Sequence, residues 1–219
     1  MDAATEKRTL VSLESIGDRL RTTLTAKNEA RDTALRHSRT LVRYCANTIR
    51  AVHRGEMQMA QALLKKAEET TAELRAAVVD DPDLYYAGYT QDGMKEWVEA
   101  NVLLALVTGA QLPTPDALQV EAATYLKGLA EAATELRRTV LDIIREDHSE
   151  RAEGLLEAMD EIYSLLVTID FPDAITGGLR RSTDVVRGVR ERTRGDLTMS
   201  LRQQRLQQAL RRAETEGST

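Results

Sequence analysis

Four glutamates set the chemical question. Glu96 and Glu99 stand at i and i+3 within Gly93-Met94-Lys95-Glu96-Trp97-Val98-Glu99-Ala100. Glu131 and Glu135 stand at i and i+4 within Gly128-Leu129-Ala130-Glu131-Ala132-Ala133-Thr134-Glu135-Leu136-Arg137-Arg138. On a helix, each spacing places both carboxylates on one face. The alanines around Glu131 and Glu135 leave room for a neighbouring helix or a ligand. If the two helices pack, four carboxylates converge, and like charges raise one another's pKa. A hard divalent cation with oxygen ligands, Mg²⁺ or Mn²⁺, relieves that repulsion. Beside a phosphate-binding surface, such a site suits phosphodiester hydrolysis, in which a cation polarises a phosphoryl oxygen and activates water. The competing reading is that both pairs are ordinary solvated helix faces.

A surface of that kind is legible. Arg36, Arg39, Arg43, Arg50 and Arg54 recur at helical steps, and no carboxylate occurs between Thr33 and Gly55. Such a guanidinium stripe can bind phosphates, or it can pair with acidic helices elsewhere in the chain. Other chemistries are excluded by motif. The residues three before His37, His53 and His148 are Ala34, Arg50 and Arg145, so no Glu-x-x-His di-iron signature exists. The P-loop, HExxH, dinucleotide glycine fingerprint and GxSxG patterns are also absent. His53, in Val52-His53-Arg54-Gly55, reads as a helix C-terminal cap. Cys45 reads as packing, with no His/Asp arrangement around it.

The elements that must position these residues are helical. Of 219 residues only 4 are Pro and 12 Gly, and the aromatic share is 4%, which argues against a sandwich or barrel. A single Cys excludes an internal disulfide framework and accords with a reducing, cytoplasmic setting. The polar start MDAATEKRT carries no signal-peptide pattern, and the longest apolar run, Val102 to Val107, is far short of a membrane span. Leu10, Leu13, Leu20, Leu24, Leu35, Leu41, Val42, Ile49 and Val52 predict one long helix from about Leu10 to Arg54, on the order of 65 Å. Further helices are expected over about Met57–Val79, Leu84–Thr108, Glu121–Arg145 and Glu150–Ile169, the last starting after Ser149. A final helix is expected over Asp173–Leu210, with breaks considered at Gly177-Gly178 or Gly195. Thr114-Pro115 should open a short turn. The result is a single all-α bundle of about six to seven helices over residues 1–219, with 211–219 a frayed tail. Residues 1–55 and 176–219 each carry a net charge of +5, and residues 56–175 a net of −15.

In four segments the chain resembles the translin/Trax family, on the Trax-like side of prokaryotic type. They are Ile49-Arg50-Ala51-Val52-His53-Arg54; Glu96-Trp97-Val98-Glu99-Ala100, similar to the E-Y-V-E-A segment of Trax; Tyr125 to Arg138, similar to Y-L-x-G-x-A-D-x-x-x-E-L-x-R; and Gly178 to Asp184 with Glu191 to Leu197. The resemblance implies a helical bundle of about seven helices assembled into a closed, roughly octameric homo-oligomeric shell around RNA or single-stranded DNA. It further implies a Mg²⁺-dependent endoribonuclease whose acidic set is Glu96, Glu99, Glu131 and Glu135. Two positions depart from the pattern: Glu131 replaces the usual Asp, and Lys95 replaces a usual Gln and is expected only at the rim. Arg43, Arg50 and Arg137 are the expected phosphate contacts. The alternative is a translin-like binder of single-stranded RNA or DNA without catalysis; a purely structural shell is the third reading.

Overall fold

The computed structural model describes the backbone of residues 3–146 and 150–217, and the side chains of residues 12–146 and 150–215. Nine helices follow in order among the described residues: α1 (Ala3–His53), α2 (Met57–Ala77), α3 (Pro82–Tyr85), α4 (Gly88–Thr108), α5 (Pro115–Leu118), α6 (Ala122–Glu146), α7 (Glu150–Thr168), α8 (Asp173–Thr176) and α9 (Leu179–Gly217). No strand occurs among those residues, so the fold is all-α. α1 packs on α2 and α4, α4 on α6, α6 on α7 and α9, and α7 on α9. Leu41, Leu74, Met94, Val98, Leu103, Leu136, Met159 and Leu197 fill these seams and are almost wholly buried.

The long first helix forms because apolar residues recur without a breaker. Its buried positions Ala34, Ser38, Leu41, Cys45, Thr48 and Val52 follow the helical period and line the seam with α2 and α4. Leu13, Ile16, Leu20 and Leu24 keep the same period but stay exposed; the side chain of Leu10 lies outside the described residues. The helix ends in a Schellman arrangement. Gly55 takes φ +72°, its N–H bonds the Val52 carbonyl at 3.0 Å, and the Glu56 N–H bonds the Ala51 carbonyl at 2.9 Å. Backbone groups therefore close the helix, and His53 is not its cap.

Two expected boundaries shift. The third expected helix is split: α3 stops at Tyr85, and α4 starts only at Gly88, after an extended Ala87. Side chains take the carbonyls exposed by the break, Thr90 Oγ1 donating to Leu84 O at 2.7 Å and Gln91 Nε2 to Tyr85 O at 2.9 Å. The last expected helix breaks where Gly177 (φ +59°) and Gly178 (φ +87°) turn the chain, and α9 then runs through Gly195 without interruption. Helical backbone continues to Gly217, past the point where fraying was expected; Ser218 and Thr219 lie outside the described residues, as do His148 and Ser149.

One close approach positions the site. At Gly128, α6 presses so tightly on α4 that an added Cβ would lie 2.6 Å from Val98 Cβ and 2.8 Å from the Lys95 carbonyl oxygen. Only glycine permits this contact.

Candidate metal centre

α4 carries Glu96 and Glu99 one turn apart, and α6 carries Glu131 one turn beyond Gly128. The glycine contact brings the two helices together where these side chains project. One carboxylate oxygen from each of Glu96, Glu99 and Glu131 lies within 4.8 Å of the others. Of the four glutamates singled out in the sequence, three converge. Glu135, one turn further along α6, has another partner: its Oε2 lies 2.7 Å from His53 Nε2. The His53 side chain is only 2% exposed, and its Nδ1 is buried without a hydrogen-bond partner. The last residue of α1 thus reaches the acidic cluster.

The electrostatics of the cluster are uneven. Burial pushes the Glu99 carboxyl up to about 8, and the negative charges of Glu96, Glu131 and Glu135 push in the same direction, against Lys95. Glu135 is held below its ordinary value, first by the hydrogen bond from His53, with the nearby charges of His53 and Arg138 adding to it. Lys95 is the cation inside the cluster. Its Nζ lies 2.7 Å from Glu131 Oε1, 2.6 Å from Glu131 Oε2 and 3.2 Å from Glu96 Oε1, with its side chain 18% exposed. Burial works to lower its pKa, but the bond to Glu131 and the charges of Glu131 and Glu96 outweigh it and leave it raised. Lys95 is therefore not at the rim. Helical spacing did not reveal this, because the oxygens that Lys95 reaches belong to the adjacent Glu96 and to Glu131, 36 residues away on α6. Nothing in the spacing revealed His53, whose partner is 82 residues away.

The donor set fits a hard divalent cation. All candidate ligands are carboxylate oxygens, the chemistry of Mg²⁺ or Mn²⁺, and Glu96, Glu99 and Glu131 are the residues that would hold it. Cys45 is not a candidate, because burial, reinforced by Glu96 and Glu99, pushes its thiol far above the range of a reactive cysteine.

The arginines divide. Arg43 and Arg50 are exposed, Arg43 lying 5.7 Å from the Tyr44 ring centre and Arg50 donating to Asn47 Oδ1 at 2.7 Å. Among the described residues, neither they nor Arg36 and Arg39 pair with a carboxylate, so the stripe is not neutralised by the acidic helices. Arg54 pairs with Glu56 at 2.7 Å. Arg137 instead ties α6 to α9, through Asp196 Oδ2 at 2.8 Å and Thr193 Oγ1 at 3.2 Å. Two neighbours of the cluster were not singled out in the sequence. Arg138 is exposed with its charge felt at Glu135. Arg181, also exposed, lines a pocket of about 160 Å³ with Glu131, Thr134 and Ser182.

No protein-family model matches the sequence, but solved structures do. The AfC3PO–duplex RNA complex is 33% identical, with a TM-score of 0.76 over 86% of this chain and 96% of that one. The crystal structure of AfC3PO is 32% identical, with a TM-score of 0.78 over 84% and 95%. Apo-NeC3PO, at 20% identity, shares the fold, with a TM-score of 0.75 over 84% and 96%. An uncharacterized protein of Methanocaldococcus jannaschii is 27% identical over 194 residues, covering 87% of this chain and 85% of the relative. The chain belongs to the C3PO family of translin/Trax-type proteins.

Proposed function

We propose that the protein is a metal-dependent endoribonuclease acting on single-stranded or short structured RNA inside an oligomeric shell. The observation that carries this reading is the convergence of Glu96, Glu99 and Glu131 within 4.8 Å across the α4–α6 seam. When bound there, a divalent cation supplies polarisation of the phosphodiester and activation of water. The chain's own part is to hold three anionic oxygens on two helices fixed by Gly128, and to present cations around them. Arg181 and Arg138 are placed to bind phosphates beside Glu131 and Glu135. Arg43 and Arg50, exposed on α1, would bind the strand as well. The family member AfC3PO, described in complex with duplex RNA, supports RNA as the ligand class. The exposed stripe Leu13, Ile16, Leu20 and Leu24 supports association between copies, and sedimentation as a 24.4 kDa monomer at micromolar concentration would overturn the shell. Among the described residues no helix is long and apolar enough to cross a membrane.

The test is cleavage of labelled RNA, with and without Mg²⁺, by the wild type and Glu99→Gln. The amide keeps the shape and removes one anionic ligand, so the rate should fall by roughly two to three orders of magnitude while RNA binding holds. Wild-type cleavage by Glu99→Gln would overturn the site. One observation favours a second reading, a translin-like RNA binder without catalysis: both carboxylate oxygens of Glu131 are engaged by Lys95. Salt-sensitive RNA binding with no Mg²⁺-dependent cleavage would select it.

A further inference from the structure

Lys95 departs from what a carboxylate metal site needs. Its Nζ sits at 2.6–2.7 Å from both oxygens of Glu131 and 3.2 Å from Glu96, so one ammonium spans two of the three converging carboxylates, one on each helix. A divalent cation on the same oxygens would stand at about 2.1 Å from them. It would therefore lie within a few ångströms of Nζ, in a half-buried setting where water screens little. At such separations the repulsion between like charges is strong. The two cations cannot share Glu131.

The contacts that hold the Lys95 ammonium are ionic, to carboxylates that are themselves partly exposed. Glu131 and Glu96 hold it, and 18% of the Lys95 side chain is exposed. The four-carbon stem of a lysine is flexible. The neighbouring pocket beside Glu131, lined by Thr134, Ser182 and Arg181, gives solvent a way to the carboxylate.

Resting on the nuclease reading, we propose that Lys95 is a tethered counter-cation that occupies the Glu131–Glu96 side of the centre and sets the metal concentration at which the centre loads. A divalent cation takes its place only when the ammonium swings off Glu131. Without metal, the same ammonium keeps the acidic seam from repelling itself apart. The residue is a specificity determinant: a monovalent ion gains little over the resident ammonium, whereas a doubly charged one gains enough to displace it.

The experiment is a titration of Mn²⁺ alone, followed by electron paramagnetic resonance and calorimetry without RNA, on the wild type, Lys95→Gln, Lys95→Met and Lys95→Arg. Removing the charge should tighten Mn²⁺ binding roughly ten- to a hundredfold in the Gln and Met variants, the scale expected when one charge a few ångströms away is lost from a half-buried site. The Arg variant should stay within a few-fold of wild type, which separates charge from packing. Both neutral variants should melt lower than wild type without metal and gain more from saturating Mn²⁺. Saturable binding with equal affinity in the wild type and both neutral variants would overturn the inference and leave the metal centre standing. Absence of saturable Mn²⁺ uptake in all the proteins would overturn the inference and the metal-dependent nuclease reading together.

Discussion

Two clusters in this bundle set carboxylates against cations, to opposite effect. Between α7 and α9, Asp160 is shared by two guanidinium groups: Arg194 Nη2 bonds its Oδ2, and Arg190 Nε lies 3.3 Å from its Oδ1. Arg190 also lies over the Tyr163 ring, 4.1 Å from its centre. Arg190 further reaches Glu191 at 4.0 Å, so each guanidinium there has a carboxylate within ion-pair distance. Between α4 and α6, one ammonium serves Glu96 and Glu131, Glu99 makes no ion pair among the described residues, and Glu135 leans on His53. Glu99, pushed up first by its burial and then by the charges of Glu96, Glu131 and Glu135, holds its proton to about pH 8. The first cluster pairs its charges across the α7–α9 seam, although Arg190 Nε and Asp160 Oδ1 meet without a hydrogen bond. The second buries an acidic group with no cation bonded to it, and we read that deficit, rather than the number of carboxylates, as the sign of a binding centre.

The largest expected effect is a difference in sign. Asp160→Asn should destabilise the fold by roughly 1–3 kcal/mol, because it strips the carboxylate from a guanidinium that is mostly buried, with partial exposure of the aspartate limiting the cost. Glu99→Gln, the same change of carboxylate to amide, should stabilise it. At pH 8 without divalent ions the two melting temperatures should diverge by about 5–15 °C, given roughly 2–4 °C per kcal/mol in a chain of this size. Calorimetry decides, and a fall in both variants would erase the contrast between the clusters.

The contrast sharpens with pH. The folded state raises Glu99 from its ordinary 4.5 to about 8, so between those values the folded chain binds more protons than the unfolded one. Stability from this group is therefore fully present below about pH 4.5 and is lost as pH rises towards 8. Glu99→Gln lacks that slope. Its advantage over wild type should open above pH 4.5 and level off beyond about 8, and Mg²⁺ should narrow it by stabilising only the wild-type carboxylates. A constant gap from pH 5 to 9 would show that Glu99 titrates normally.

Next in size is Gly128→Ala. The added carbon meets Val98 Cβ and a backbone carbonyl at under 3 Å, and neither can swing aside, so α6 must lift from α4. Overpacking of this kind costs roughly 1–3 kcal/mol, and the three carboxylates separate as the helices do. Mn²⁺ affinity should fall even though no ligand has changed. Unaltered affinity would mean that the cluster does not depend on the α4–α6 contact.

The arrangement of helices was legible in the sequence because it rests on local chemistry: the unbroken period of α1, the Gly55 stop and the Gly177-Gly178 turn, the last being one of two breaks the glycines offered. The α3–α4 split was not, since it depends on Thr90 and Gln91 reaching back for carbonyls, a contact no periodicity encodes. Within the site, helical spacing gave the glutamates, and the structure brings Glu96, Glu99 and Glu131 together. It could not give His53 or Lys95 their places. The first acts across 82 residues. The second reaches a carboxylate on another helix, at a register set by a glycine whose importance appears only when two backbones meet. Arg137 shows the converse, a basic residue in a telling motif that is taken up by Asp196.

The smallest expected effect concerns Glu135, the glutamate that stands apart. His53 is buried and bonded through Nε2, yet its Nδ1 lacks a partner, so the residue gives up one buried hydrogen bond in order to hold Glu135. His53→Leu removes both the useful contact and the unsatisfied nitrogen. A bond to a carboxylate contributes roughly 1.5–3 kcal/mol and an unsatisfied buried group costs about 1–3, so the net loss should be within about 1 kcal/mol. The larger change is chemical. The Glu135 carboxyl, now held low first by the His53 bond, should titrate higher in His53→Leu, by carbon-13 NMR of labelled glutamate. In His53→Gln, whose amide can donate in the same place, it should stay low. Freed from His53, Glu135 can turn towards Glu131, and the apo cluster should then hold a fourth carboxylate and bind Mn²⁺ more tightly than wild type. If Glu135 titrates alike in wild type and His53→Leu, the imidazole is packing only, and the separation of Glu135 from the other three glutamates comes from the helix register alone.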